Sequence, residues 1–133
     1  MFDDKSNNYD NSYIRNWLNN EFFDNAFNSY EKNKIIRETN KDDYVSLLTL
    51  DEAYKYYKDD QMRICKGTKY AISQGLWVPD SGMYYENGFW WLKTESKNNT
   101  TTQVYGINIA GMVDSYNVDT KTYGIRPVIK IEL

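Results

Sequence analysis

Apolar residues recur at helical spacing in the first third of the chain and at strand spacing in the last. Ile14, Trp17, Leu18 and Phe22 fall at i, i+3, i+4 and i+8, with Phe23 beside them, which is one buried stripe on a helix. Asp10 or Asn11 can cap it, and Trp17 and Leu18 are expected in the core. Asn28-Ser29 restarts a short helix through Ile35-Ile36. A polar run from Arg37 to Asp43 breaks the period, and Tyr44 to Leu48 then reads as a short buried strand. Thr49 with Glu52 three residues on is a capping box that opens a helix through about Tyr57. Asp59 or Asp60 caps a further turn through Cys65, and Thr68 caps Lys69 to Gln74, where Gly75 supplies the left-handed stop.

From Leu76 onward strands and turns take over. A Pro-Asp-Ser-Gly turn at Pro79 to Gly82 precedes an aromatic strand, Gly88 to Lys93. Val104 to Ile109 and Met112 to Val118 flank Ala110-Gly111 as a hairpin, with Gly106 marking a weak point in its first strand. Tyr123 to Ile131 closes the chain with Ile125, Pro127, Ile129 and Ile131 on one side. Helices followed by a small antiparallel sheet place the chain in the α+β class, as a single domain over residues 1–133. The loop from Thr94 to Gln103 is the expected exposed and mobile segment.

Composition narrows the chemistry. Apolar residues make up 41% and aromatics 17%, enough for a real core. The 15 Asn and 13 Tyr point to a low-GC bacterium or its phage rather than to a reaction. The absence of His excludes histidine triads and His-metal sites, and Cys65, the single thiol, can form no internal disulfide. Net charge is −3, with 13 acids against 8 bases in residues 1–60 and 6 against 8 in 61–133, so no broad basic surface for nucleic acid is expected. Neither a signal-peptide pattern nor an apolar run of membrane-spanning length is present, which predicts a cytoplasmic chain with no membrane contact.

Candidate binding residues lie in the strand half. Trp90 and Trp91 point to opposite faces of a strand, so at most one is free to stack on a ligand, and Trp91 is taken as that one. Tyr105 and Tyr116, interleaved with Asn108 and Asn117, have the composition of a recognition surface, rigid rings beside adaptable amides. Arg126 stands before a proline in an apolar strand, either as a ligand contact or paired with a carboxylate or carbonyls. Asp114, Asn117 and Asp119 suit a turn better than calcium, and nothing selects a catalytic pair among Glu86, Glu95 and Asp114. No metal, cofactor or catalytic residue is expected.

Six stretches occur in an order that resembles the bacterial domain family of unknown function DUF6273. They are Ser12 to Phe22, Ala26-Phe27, Val45 to Ala53, Lys66 to Ala71, Trp90 to Lys93 and Gly124 to Val128. The resemblance implies a C-type-lectin-like fold, since an aromatic strand followed by a closing Gly-x-Arg strand is similar to the ending of formylglycine-generating enzymes. Lys93-Thr94 replaces the family's Arg-Ser pair, and the strands that usually precede the first helix are missing. The closing strand, 125–131, is therefore expected to present an open edge that a second copy or a partner strand covers. Two functions follow as expectations. The first is a non-catalytic module binding a protein or a glycan through the aromatic and Asn-rich strand half; the alternative is a small acidic phage or mobile-element protein that inhibits a host factor by binding it.

Overall fold

A computed structural model describes residues 1–38, 42–98 and 100–133. The class is α+β: short helices come first and a three-stranded antiparallel sheet follows. The strands β1 (Trp90–Glu95), β2 (Gln103–Ile107) and β3 (Val113–Asn117) lie in the order β1-β2-β3. Each face of the sheet carries its own core. Trp91 and Val104 join Phe2, Tyr9, Ile14, Leu18, Val45, Leu47 and Val118 in one, whereas Trp90, Leu92 and Ile107 join Leu48 and Ala53 in the other. The alternation of side chains along a strand thus buries both tryptophans of the doublet, on opposite sides.

The first helix runs in three pieces: α1 (Tyr13–Trp17), a π-helical turn (Leu18–Phe22) and α2 (Phe23–Ala26). Its cap is Ser12, whose hydroxyl accepts from the Arg15 N–H at 3.2 Å, rather than Asp10 or Asn11. Leu18 is fully buried, but Trp17 is 37% exposed and rests against Phe22, so the predicted stripe is narrower than its spacing implied. The restart forms α3 (Ser29–Lys34) under an Asn28–Glu31 capping box, and Thr49 with Glu52 forms a second box over α4 (Leu50–Tyr56). Asp59 caps α5 (Asp60–Arg63), Thr68 caps α6 (Lys69–Ser73), and Gly75 follows with a φ of 104°.

Tyr44 to Leu48 forms no ladder of its own: the chain bends at Tyr44 and Val45 and makes a single bridge at Ser46. Asn19 holds its start from the first helix, accepting from the N–H groups of Tyr44 and Val45 at 2.7 and 3.0 Å and donating to the Val45 carbonyl at 2.8 Å. Ser46 then pairs with Val128, and the Leu48 carbonyl accepts from Lys93 of β1 at 3.0 Å. The hairpin turn is built on Asn108, which accepts from Ala110 and Met112, and on Gly111 at a φ of 80°. Gly111 lies so close to the Asp60 carbonyl that a Cβ would overlap it. Gly106 leaves room for the Tyr116 ring, which covers it from the neighbouring strand.

The open edge expected along 125–131 is not found on the side that pairs within the chain. Gly124 bonds to Phe89 and Trp91, Val128 exchanges both bonds with Ser46, the Lys130 carbonyl accepts from Ile36, and Glu132 donates to Lys34. Segments 34–36 and 44–48, read as a helix end and an independent strand, fold back to fill that place. The N-terminal residues also belong to the core: Phe2 is fully buried, and the N–H groups of Phe2 and Asp3 both donate to Val118. In the loop after β1, Ser96 is buried and Asn7 donates to the carbonyls of Thr100 and Gln103, so these parts of the predicted mobile loop are anchored. Residues 39–41 and 99, within the polar run Arg37–Asp43 and the loop Thr94–Gln103, lie outside the described residues. Among the described residues no helix is long and apolar enough to cross a membrane.

Candidate functional site

The six residues singled out by the sequence do not converge. Trp91 is corrected from ligand platform to core: it is 1% exposed, packed against Phe2 and Tyr123, because its face of the sheet is covered by the N-terminal segment. Tyr116 packs edge-to-face against Phe89 and Tyr123 on that same side, and burial together with the Asp114 carboxylate pushes its hydroxyl well above the usual tyrosine range. Tyr105 lies on the opposite face against the second core, with its hydroxyl accepting from the Lys97 N–H at 3.2 Å. Asn108 is occupied by the hairpin turn, and Asn117 is exposed and accepts from the Gln103 amide at 3.1 Å.

Arg126 is different. Its guanidinium lies over two rings, with its charge centre 4.7 Å from the Tyr57 centroid and 4.9 Å from the Trp90 centroid. Three neighbours fix it there. Gly124 and Val128, two residues to either side, are pinned to β1 and to Ser46, and Pro127 restricts the residue before it to extended backbone. Trp90 is held in turn by its indole N–H, which donates to the Arg63 carbonyl at 3.1 Å, and Tyr57 is the C-cap of α4. Each ring face attracts the cation, by about 0.5–2 kcal/mol depending on desolvation. Neither ring accepts the in-plane hydrogen bonds that a guanidinium offers.

Those hydrogen bonds are not made elsewhere. Arg126 Nη1 is shut away from water and has no hydrogen-bond partner among the described residues. The carboxylate or carbonyls that would make it a structural arginine are therefore absent there. Arg63, buried to 5% exposure, shows what the satisfied case looks like in this fold. Its Nε donates to the Gly111 carbonyl at 2.9 Å, its Nη1 to the Tyr57 carbonyl at 2.8 Å, and its Nη2 pairs with Asp60. A buried donor left without a partner costs about 1–3 kcal/mol, more when charged.

Arg126 lines a groove of about 340 Å³ whose walls are Leu48, Tyr56, Tyr57, Pro127, Val128 and Ile129. The groove combines one cation with mostly apolar walls, the composition of a site that takes an anionic head with an apolar body. A larger concavity of about 630 Å³ beside the first helix is polar and its charges pair in part: Arg15 Nε lies 2.8 Å from Asp43 Oδ1 and Arg37 Nη2 3.5 Å from Asp42 Oδ1, while Asp43 Oδ2 is buried without a hydrogen-bond partner among the described residues. Lys93, which stands where the resemblance expects an arginine, is also engaged, donating to the Ser46 hydroxyl at 2.9 Å with its ammonium over the Tyr9 ring. Among the described residues no group of three or more His, Cys, Asp and Glu could hold a metal. The groove walls Leu48 and Tyr57 were invisible as site residues in the sequence, since only the tertiary fold brings α4 beside the closing segment. The chain matches no protein-family model, no curated protein and no solved structure.

Proposed function

We propose that the protein is a non-catalytic recognition module, C-type-lectin-like in architecture, that binds a protein or a glycan with Arg126 at the centre of the contact. The observation that carries this reading is the Arg126 guanidinium, oriented by two rings and lining an open groove with mostly apolar walls. The helix-then-sheet order and the Gly124-Ile125-Arg126 ending support the lectin-like architecture. Recognition needs a preset donor array more than it needs acid-base chemistry, and an arginine held against two rings loses little freedom on binding.

Wild-type protein and the Arg126→Gln variant, screened side by side on a glycan array and on a peptide library, test the reading. The expected result is selective binding on one platform and a loss of about tenfold or more in the variant, with thermal melting confirming that it is folded. Binding that is equal in a folded Arg126→Gln variant would remove Arg126, and this site, from the function.

A further inference from the structure

We infer that the Arg126 groove binds the C-terminal residue of a partner polypeptide, taking its α-carboxylate on the guanidinium and an apolar last side chain against the walls. This rests on the recognition reading above and narrows it to one ligand class. A guanidinium edge presents paired N–H groups whose spacing matches the two oxygens of a carboxylate, and the pair is charge-assisted. The Tyr57 and Trp90 rings lie 4.7 and 4.9 Å from the Arg126 charge centre and cannot accept its in-plane N–H groups, so the match left open is a flat, two-oxygen anion. The remaining walls are apolar apart from the tyrosine hydroxyls. A glycan would leave most of its hydroxyls unmatched against Leu48, Val128 and Ile129, at a cost in desolvation. An internal Asp or Glu would bring polar main chain on both sides into a groove of about 340 Å³, at the small end of ligand sites. A chain terminus brings the carboxylate and one apolar side chain together with main chain on one side only.

The test uses the full chain and three peptides of one apolar sequence: one with a free C-terminal carboxylate, its C-terminally amidated twin, and an amidated version with one internal Glu. Affinities are measured by calorimetry, and the Arg126 Nε–H resonance is followed during titration. The expected result is that the free acid binds at least about tenfold more tightly than either amidated peptide. It alone should shift the Arg126 resonance, and Arg126→Lys, which keeps the charge but loses the paired donors, should weaken it. Tyr56→Ala removes a half-exposed wall residue on α4 with little risk to folding and should also weaken the free acid. Equal affinity of free and amidated peptides, preference for the internal Glu, or no binding by any of the three overturns the inference. If any of those outcomes is accompanied by Arg126-dependent binding on the glycan array, the recognition reading stands and only the ligand class falls. Binding everywhere indifferent to Arg126 would end both.

Discussion

Tyr9 places a phenol where water cannot support its anion. Its hydroxyl lies 3.4 Å from the Ser46 hydroxyl inside the first core, and burial is the main cause that pushes its pKa from 10 up to about 12. The folded state therefore holds this proton more tightly than the unfolded chain. The associated stabilisation is fully present below about pH 10 and is lost as pH rises toward 12. Tyr116 and Tyr123, raised by burial and by Asp114, act in the same direction. Thermal melts between pH 9 and pH 12 should show falling stability, with a shallower fall in Tyr9→Phe. An identical alkaline slope in that variant would mean that Tyr9 titrates as an exposed phenol. At the same scale, Asn19 shows how one amide can replace a ladder, satisfying the N–H groups of two successive residues and a carbonyl on a segment that has no neighbouring strand at that point.

Among the elements, α4 has seven residues, too few to be stable alone, so its ends matter as much as its buried face. Thr49→Ala removes one half of its capping box and should cost about 1 kcal/mol in urea unfolding. The same change should loosen the Arg126 groove, because α4 carries Tyr56 and Tyr57 is its C-cap. A Thr49→Ala variant with unchanged stability would show that packing of Ala53 and Leu50 alone holds the helix. The Thr49–Glu52 box and the caps at Asp59 and Thr68 were legible because each is a local pattern, and so were the hairpin and the aromatic strand, whereas the first helix is capped by Ser12 and not by the expected Asp10 or Asn11. Tyr44 to Leu48 and Tyr123 to Ile131 were misread as regular strands, since β-branched content reports burial but not whether a partner runs alongside for more than one residue pair. Of the candidate site, Arg126 was legible as a charge in an apolar strand, and its rings were not, because Tyr57 and Trp90 meet it only after three distant segments have packed. Trp91 was misassigned for the same reason: its face depends on what the N-terminal segment covers.

For the molecule as a whole, stability is concentrated where early and late residues meet. Phe2, fully buried and 5.8 Å from the Trp91 ring, closes the first core, so Phe2→Ala should cost about 3–5 kcal/mol. Trp17, expected at first to be the core residue of its helix, is 37% exposed, so Trp17→Ala should cost less than about 2 kcal/mol. Parallel denaturation of the two variants gives the comparison, and a Trp17→Ala loss equal to or larger than that of Phe2→Ala would reverse the assignment of the core. The pairing of residues 2–3 with Val118, of Ser46 with Val128 and of Ile35 with Ile131 has a consequence for biosynthesis. A nascent chain leaving the ribosome exposes Phe2, Ile35, Val45 and Leu47 long before the segments that cover them have been translated. Helical turns in the first half can flicker while elongation proceeds, but neither core can close until the segment around Val118 to Ile129 clears the exit tunnel. Folding is then a late event for this stretch of chain, with a waiting period in which its apolar first half is open to chaperones and to aggregation.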